Sequence, residues 1–132
     1  MSKSVDLNAD MGESFGPWTM GDDAALLDII SSANIACGFH AGDPDVMAAT
    51  IAQAMGCNAG IGSHPGFADP QRFGRRKVQL SQDGLKNLVR YQLGPSRGMA
   101  GQLPGKVRPR HPLGGVANEC RGEGGSAGAG YR

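Results

Sequence analysis

The sequence predicts an α/β fold in which short parallel strands alternate with helices. Three observations favour this class: strand-length and helix-like apolar patterns follow one another in the order βαβαβα, one helix is bounded by capping residues, and polar side chains follow every strand. Such alternation indicates a parallel sheet with right-handed crossovers. We expect one domain, because the chain has 132 residues and a domain commonly has about 150.

The first unit is predicted to contain a strand over residues 5–8, a glycine-punctuated loop over 9–21, and a helix that ends near Ile30. Asp22 or Asp23 is expected to cap this helix, because a carboxylate accepts the free N–H groups of a first turn. The apolar side chains that define these two elements are Val5, Leu7, Leu26, Leu27 and Ile30.

The second helix is the best delimited element. A strand over Ser32–Cys37 precedes it, Asp43 stands at its N-cap and Pro44 at its first position. Gly56 is expected to end it in the left-handed conformation. A third strand, made of small residues, is then predicted over Ala59–Ser63.

The last predicted helix begins after Ser81 and ends near Leu93, with leucine and valine side chains facing inward. Residues 94–132 contain 11 of the 22 glycines and carry a net charge of +4, against −3 for residues 1–93. So few large apolar groups cannot offset the entropy of ordering the chain. We therefore expect the folded part to be 1–93, followed by a Gly/Pro/Arg-rich tail over 94–132 that is disordered.

Composition excludes several classes of function. No apolar stretch approaches the length of a membrane span, and the polar start of the chain is not a secretory signal. The near-neutral net charge of +1 gives no field for nucleic acid. Cys37, Cys57 and Cys120 form no CxxC pair and leave one thiol over, which favours a reducing cytoplasm. There is also no P-loop for a nucleotide.

Polar side chains cluster at or after the ends of the predicted strands. Because parallel strands place their carboxyl ends on one rim, residues distant in sequence should converge there. A carboxylate at Asp10 with the imidazoles of His40 and His64 could bind a divalent metal, with Asp6 as base; without metal, Asp/His pairs could act as general acid and base. The clustered residues are Asp6, Asn8, Asp10, Glu13, Asn34, His40, Asp43, His64 and Asp69.

Each of these residues also has a structural interpretation. Asp43 is more simply explained as a helix cap, and Cys37 as a small buried apolar group. Phe15 and Trp18 could form a pocket wall or pack within their loop. The cationic segment around Arg75 could be a solvated face or a clamp for phosphate or carboxylate.

Three strings carry a resemblance to a known family: VDLNADMGESFG over 5–16, SANIACGFHAGD over 32–43 and GSHPGF over 62–67, followed by FGRR over 73–76. Together they resemble the LamB/YcsF family, whose members are known as the A subunit of the prokaryotic ATP-dependent 5-oxoprolinase. The resemblance covers residues 5 to about 93 and implies a (β/α) barrel of the glycoside hydrolase/deacetylase type. After residue 93 the sequence departs from the family pattern, which suggests that the tail over 94–132 is translated out of frame. A full barrel needs about 250 residues, so we expect a partial one of about three βα units.

The resemblance also implies an activity. It implies that 5-oxoproline (pyroglutamate) is opened to L-glutamate with ATP as co-substrate, in a complex with B and C subunits. The catalytic residues that it implies are Asp6, Asp10, Glu13, His40 and His64. The substrate-binding residues that we expect beside them are Asn8, Asn34, Asp43 and Arg75.

Two alternatives stay open at this point. One is a metal-dependent deacetylase or amidohydrolase that acts without ATP, with Asp10, His40 and His64 as the metal ligands. The other is a fragment without catalytic activity, which binds a partner subunit or does not fold.

Overall fold

The computed structural model describes residues 3–76 and 78–103, and it confirms the predicted α/β architecture. Three parallel strands form one sheet in the order β1-β2-β3. No helix in the described part of the chain is long and apolar enough to cross a membrane. The elements are β1 (Asn8–Met11), α1 (Asp23–Leu27), β2 (Ser32–Ala36), α2 (Pro44–Gly56), β3 (Gly60–His64), a 3-10 turn (Pro70–Arg72) and α3 (Gln82–Gln102).

Helix α2 begins as predicted, because the Asp43 carboxylate accepts a hydrogen bond from the backbone N–H of Val46 at 2.9 Å. The prediction for its end is wrong in one respect. Gly56 stays within the helix, and the left-handed residue is Asn58, with φ of 55°. Asparagine tolerates this conformation better than most residues, so glycine is not needed there.

The first strand does not lie where the sequence predicts it. It begins at Asn8, and Val5 is 81% exposed instead of buried. The carbonyl of Leu7 accepts hydrogen bonds from the backbone of Ser31 and Ser32, which aligns Asn8 with Ser32 in the sheet. The chain before Asn8 is thereby tied to the sheet by its backbone, although the side chains of Val5 and Leu7 remain exposed.

The other short elements differ from prediction by one to three residues. Helix α1 has the predicted cap, Asp22, but ends at Leu27 rather than near Ile30. The second strand ends at Ala36, one residue early, and the third is shifted one residue toward the C-terminus.

Helix α3 is longer than predicted. It continues past Leu93 to Gln102 with Pro95 inside it, so the boundary expected at residue 93 falls within a helix. The buried face of this second half carries Ser96 and Ala100, which are too small to give an apolar period in the sequence. The remainder of the predicted tail, 104–132, lies outside the described residues.

The main core lies between one face of the sheet and the helices. Ala33 and Ile35 of β2 face Ile51 of α2, since alternate side chains of a strand point to one face. A smaller cluster forms around Phe67 under α3. The members of the main core are Met11, Leu27, Ala33, Ile35, Cys37, Met47, Ile51, Ala54, Ala59, Ile61 and Ala100.

The core makes a prediction about stability. Ile51 is fully buried between the sheet and α2, so Ile51→Ala leaves a cavity and should lower the free energy of unfolding by about 2–5 kcal/mol. Ile29→Ala is the matched control: this isoleucine is exposed, and its truncation should cost less than about 0.5 kcal/mol. Urea unfolding followed by circular dichroism measures both. Equal costs, or a transition without cooperativity in the unmodified chain, would contradict this core.

Candidate active site

The face of the sheet opposite the core is lined by polar side chains. The register aligns Asp10, Asn34 and Gly62 across the three strands, so their side-chain positions share this face. The Asn34 amide donates hydrogen bonds to Asn8 Oδ1 at 3.0 Å and to Asp10 Oδ1 at 3.2 Å. Asn34 thereby fixes the orientation of the Asp10 carboxylate, while Gly62 leaves space beside it.

Two imidazoles meet above this polar row. His40 follows β2 and His64 ends β3, and their ring centroids lie 4.5 Å apart with 53° between the planes. Both residues are buried, at 3% and 6% exposure. Both ring nitrogens of His40, and Nδ1 of His64, have no hydrogen-bond partner among the described residues. Buried polar atoms are normally paired, so these three atoms indicate a place for a ligand.

Glycines and an aromatic ring enclose His40. A Cβ atom at Gly66 would lie 2.6 Å from His40 Cγ, and one at Gly74 would lie 2.7 Å from His40 Cβ. The ring of Phe73 meets the imidazole edge-on, with centroids 5.4 Å apart. Only glycine fits at positions 66 and 74, because any side chain there would displace the imidazole.

Two carboxylates approach His64. The Asp10 carboxylate lies 3.5 Å and the Glu13 carboxylate 3.9 Å from Nδ1 of His64, too far or too poorly aligned for a hydrogen bond. Burial raises the pKa of Glu13, and the negative charges of Asp10 and Asp23 raise it further. The positive charge of Arg75 acts in the opposite direction. Glu13 therefore holds a proton more readily than a glutamate in water does.

The imidazoles are shifted toward their neutral forms. Burial, and to a smaller extent the neighbouring His64, lower the pKa of His40 to about 4 against the opposing charge of Asp10. Burial also lowers the pKa of His64, again opposed by Asp10. At neutral pH both rings are therefore unprotonated, and their nitrogen lone pairs are free to accept a proton or bind a metal ion.

Two aspartates hold the loop that carries Glu13. Asp23 Oδ2 accepts the backbone N–H of Gly12 at 2.9 Å, and Asp43 Oδ2 accepts that of Gly16 at 2.8 Å. The second oxygen of Asp43 caps α2, so both its oxygens are engaged by the backbone and its structural interpretation is the one observed. These bonds lower the pKa of Asp43. Asp23 is not among the predicted site residues, since its sequence position suggests only a helix start.

The tip of this loop is an exposed aromatic pair. Phe15 and Trp18 stack with centroids 6.1 Å apart, and each backbone N–H of the pair donates to the carbonyl of the other at 2.9 Å. Both side chains are exposed, so they do not pack into a loop core.

Asp6 lies away from the site. Its Oδ1 accepts hydrogen bonds from the hydroxyls of Ser31 at 2.5 Å and Ser32 at 2.8 Å, at the beginning of β2. The expectation that Asp6 stands on the carboxyl-end rim is wrong, because it precedes β1 instead of following it.

The loop after β3 brings one cation to the rim. Arg75 is exposed and close enough to lower the pKa of Glu13. Asp69 is buried and lies 3.6 Å from the guanidinium of Arg76, so it organises its own loop. Burial raises the pKa of the Cys37 thiol to about 11, which agrees with a packing role.

The donors best placed for a metal ion differ from the predicted set in one member. Glu13, His40 and His64 each offer a ligand atom, and these atoms lie within 4.8 Å of one another. Glu13 takes the place that the sequence predicts for Asp10. It reaches the imidazoles from the loop after β1, whereas Asp10 is held by Asn34. A carboxylate with two neutral imidazoles is a donor set that zinc and similar ions accept.

The histidine pKa shift predicts how stability depends on pH. Below about pH 6.5 an unfolded histidine binds a proton that His40 does not accept in the folded state until about pH 4. Stability should therefore fall as pH falls through this window. In His40→Leu the midpoint of urea unfolding should therefore decrease less steeply as the pH is lowered. The midpoints are measured between about pH 6.5 and about pH 4, with a chelator present. If stability depended on pH equally in His40→Leu and in the unmodified chain, the lowered pKa of His40 would be contradicted. His64 contributes to the pH dependence in the same direction, but it is present in both proteins and so does not affect the comparison.

Comparison with known proteins agrees with this geometry. The family model described as the LamB/YcsF family matches residues 5–127, so the family match extends past residue 93, where we expected the resemblance to end. The A subunit of 5-oxoprolinase from Ruegeria pomeroyi is 64% identical over 116 residues, which are 88% of this chain and 46% of the relative. The corresponding A subunit from Methylococcus capsulatus is 52% identical over 120 residues, 89% of this chain and 46% of the relative. This chain thus spans about half the length of the curated relatives it matches.

A solved structure matches as well. The crystal structure of a lactam utilization protein from Thermus thermophilus has a TM-score of 0.90 and 35% identity, covering 96% of this chain and 51% of that one. The described strands and helices therefore follow the order of about half of that fold, as expected for a partial barrel. With a family match over most of its length and the motif residues assembled around one pocket, the chain belongs to the LamB/YcsF family.

Proposed function

We propose that this chain supplies the pocket at the carboxyl ends of the strands in a 5-oxoprolinase. Such an enzyme opens the cyclic amide of 5-oxoproline to L-glutamate with hydrolysis of ATP. The observation that carries the proposal is the meeting of Glu13, His40 and His64, which come from the ends of three different strands. The names of the similar proteins supply the substrate class, since they are 5-oxoprolinase subunits and a lactam utilization protein.

The pocket offers the proton transfers that ring opening needs. Water must lose a proton as it attacks the lactam carbonyl, and the ring nitrogen must gain one as the C–N bond breaks. His64, neutral and facing the Asp10 carboxylate, is suited to accept the first proton. Glu13, with its raised pKa, is suited to donate the second. Burial thus makes Glu13 more readily protonated and His64 more readily neutral than either group is in water, which suits an acid and a base.

ATP is the co-substrate in this proposal, because amide resonance makes a lactam resistant to direct attack by water. Transfer of the terminal phosphoryl group to the carbonyl oxygen would activate the carbonyl carbon. Water would add there, the C–N bond would break as the ring nitrogen gains a proton, and a second water would hydrolyse the resulting acyl phosphate to a carboxylate and inorganic phosphate. The exposed guanidinium of Arg75, beside Glu13, is the described group best suited to contact a phosphate or the substrate carboxylate.

The partners belong to the proposal too. The relatives are named as one subunit of an enzyme, which implies an assembly, and we propose that B and C subunits complete it in the cytoplasm. Because the match covers about half of each relative, we also propose that this chain by itself is inactive.

Two assays of glutamate production from 5-oxoproline and ATP test the proposal. The first uses this chain mixed with its B and C subunits. The second uses a full-length relative that carries substitutions at the aligned positions. Glu13→Gln and His64→Ala should each lower the rate by about 10²–10⁴-fold, the usual contribution of general acid–base groups. Asp28→Asn is the matched control, since Asp28 is an exposed carboxylate at the far end of α1. Full activity in both site variants would contradict the assigned roles, and a full-length assembly that releases no glutamate would contradict the activity.

A second candidate is a metal-dependent amidohydrolase or deacetylase that acts without ATP. The observation that favours it is the unpaired state of the three imidazole nitrogens beside Glu13. Glu13, His40 and His64 would hold the ion, and a bound divalent metal would supply a Lewis acid and lower the pKa of a coordinated water. Asp10 and Asn34 would then orient the substrate side of the pocket.

Metal titration distinguishes the two candidates. Under the second, the chelator-treated chain should bind one Co²⁺ with the visible absorption of a low-coordinate site, and both His64→Ala and Glu13→Gln should weaken binding at least tenfold. Asp28→Asn should bind as the unmodified chain does. No stoichiometric binding would exclude a resident metal, and amide hydrolysis by a full-length relative with Co²⁺ and without ATP would favour the second candidate over the first.

A further inference from the structure

Gln92 is a fully buried polar residue in the middle of α3, outside every motif that carries the family resemblance. Its side-chain oxygen accepts the backbone N–H of Gly66 at 2.9 Å, and its side-chain nitrogen donates to the carbonyl of Gly66 at 2.9 Å. The same nitrogen donates to the carbonyl of Leu88 at 3.2 Å. One side chain therefore satisfies both backbone polar groups of Gly66 from a neighbouring helix.

Gly66 is the residue whose backbone stands against the His40 imidazole. A single added carbon at Gly66 would come within 2.6 Å of His40 Cγ, well inside van der Waals contact. Neither ring nitrogen of His40 has a hydrogen-bond partner among the described residues to fix the ring. Its orientation therefore depends on the walls around it, and Gly66 is one of those walls.

We propose that Gln92 is a positioning residue for the candidate active site, which acts through Gly66 to hold the imidazole of His40 beside His64. Two hydrogen bonds to the backbone of one residue fix both its distance from α3 and its rotation, which one bond would not do. A shift of Gly66 toward α3 would let His40 turn away from His64, and a shift away from α3 would press on the ring. The role of Gln92 in positioning the His40 ring does not depend on the proposed function, whereas the effect of that positioning on activity rests on it.

The neighbouring Ser96 provides a comparison within the same helix. It lies one turn after Gln92, is equally buried, and its hydroxyl is 2.6 Å from that of Ser63. Ser63 aligns with Ile35 in the sheet, so its side chain is on the core face, opposite to that of His64. Ser96 ties α3 to β3 through a side chain on the opposite face of the sheet from His64, so it shows what a merely structural tie would do.

The experiment compares Gln92→Met, Gln92→Glu and Ser96→Ala in the full chain. Methionine keeps the length of glutamine and removes every hydrogen bond, while glutamate keeps the acceptor and removes the donor. The readouts are the ¹H–¹³C signals of the His40 ring, the amide signal of Gly66, the melting temperature, and the affinity for Co²⁺ as the probe ion. Ring signals are assigned with His40→Leu.

We expect both Gln92 variants to shift the His40 and Gly66 signals, and to weaken Co²⁺ binding by about 10–100-fold, the usual effect of residues that orient metal ligands. Ser96→Ala should lower the melting temperature comparably and leave the His40 signals and Co²⁺ affinity unchanged. His40 signals that are unmoved in a folded Gln92→Met protein, or moved equally by Ser96→Ala, would overturn the proposal. If the unmodified chain binds no Co²⁺, the metal site fails, while the ring signals still decide the role of Gln92.

Discussion

The in-register pairing of three short parallel strands is the constraint on which the rest of the structure depends. Pairing Asp10 with Asn34, and Ala36 with His64, fixes which side chains share a face and which strand ends share a rim. A slip of one residue in β1 would turn Asp10 toward the helices and Met11 toward the pocket, because strand side chains alternate. The same register buries Met11 in the core, so core packing and site assembly stabilise one another.

The pocket lowers the free energy of unfolding, and contacts elsewhere in the fold must offset this loss. Unpaired nitrogens on buried imidazoles lose their bonds to water, and glycines at positions 66 and 74 lose conformational entropy on folding. Neither feature improves the packing of the core. Features that lower stability without improving packing are expected at sites shaped for a ligand. They favour a functional pocket without reference to any relative.

The elements that sequence alone predicts well are those that local chemistry determines. Asp43 and Pro44 define the start of α2 by satisfying or removing N–H groups within one turn. The second half of α3 could not be predicted, because it contains Pro95 and its buried positions are Ser96 and Ala100, whose burial depends on tertiary contacts. The start of β1 differs from its predicted place for a related reason: Val5 has strand propensity, but pairing with β2 decides the register.

The site is predictable to the level of strand ends, and no further. The rule that parallel strands end on one rim brings His40, His64 and Asp10 together from the sequence alone. The same rule, applied to a strand over residues 5–8, also places Asp6 there; β1 instead begins at Asn8, so Asp6 precedes the strand and accepts hydrogen bonds from Ser31 and Ser32 at the beginning of β2. The rule also places Glu13 at this rim, but not its approach to the two imidazoles, which depends on a loop tied by Asp23 and Asp43. Gln92 lies beyond the rule, since helix packing positions it.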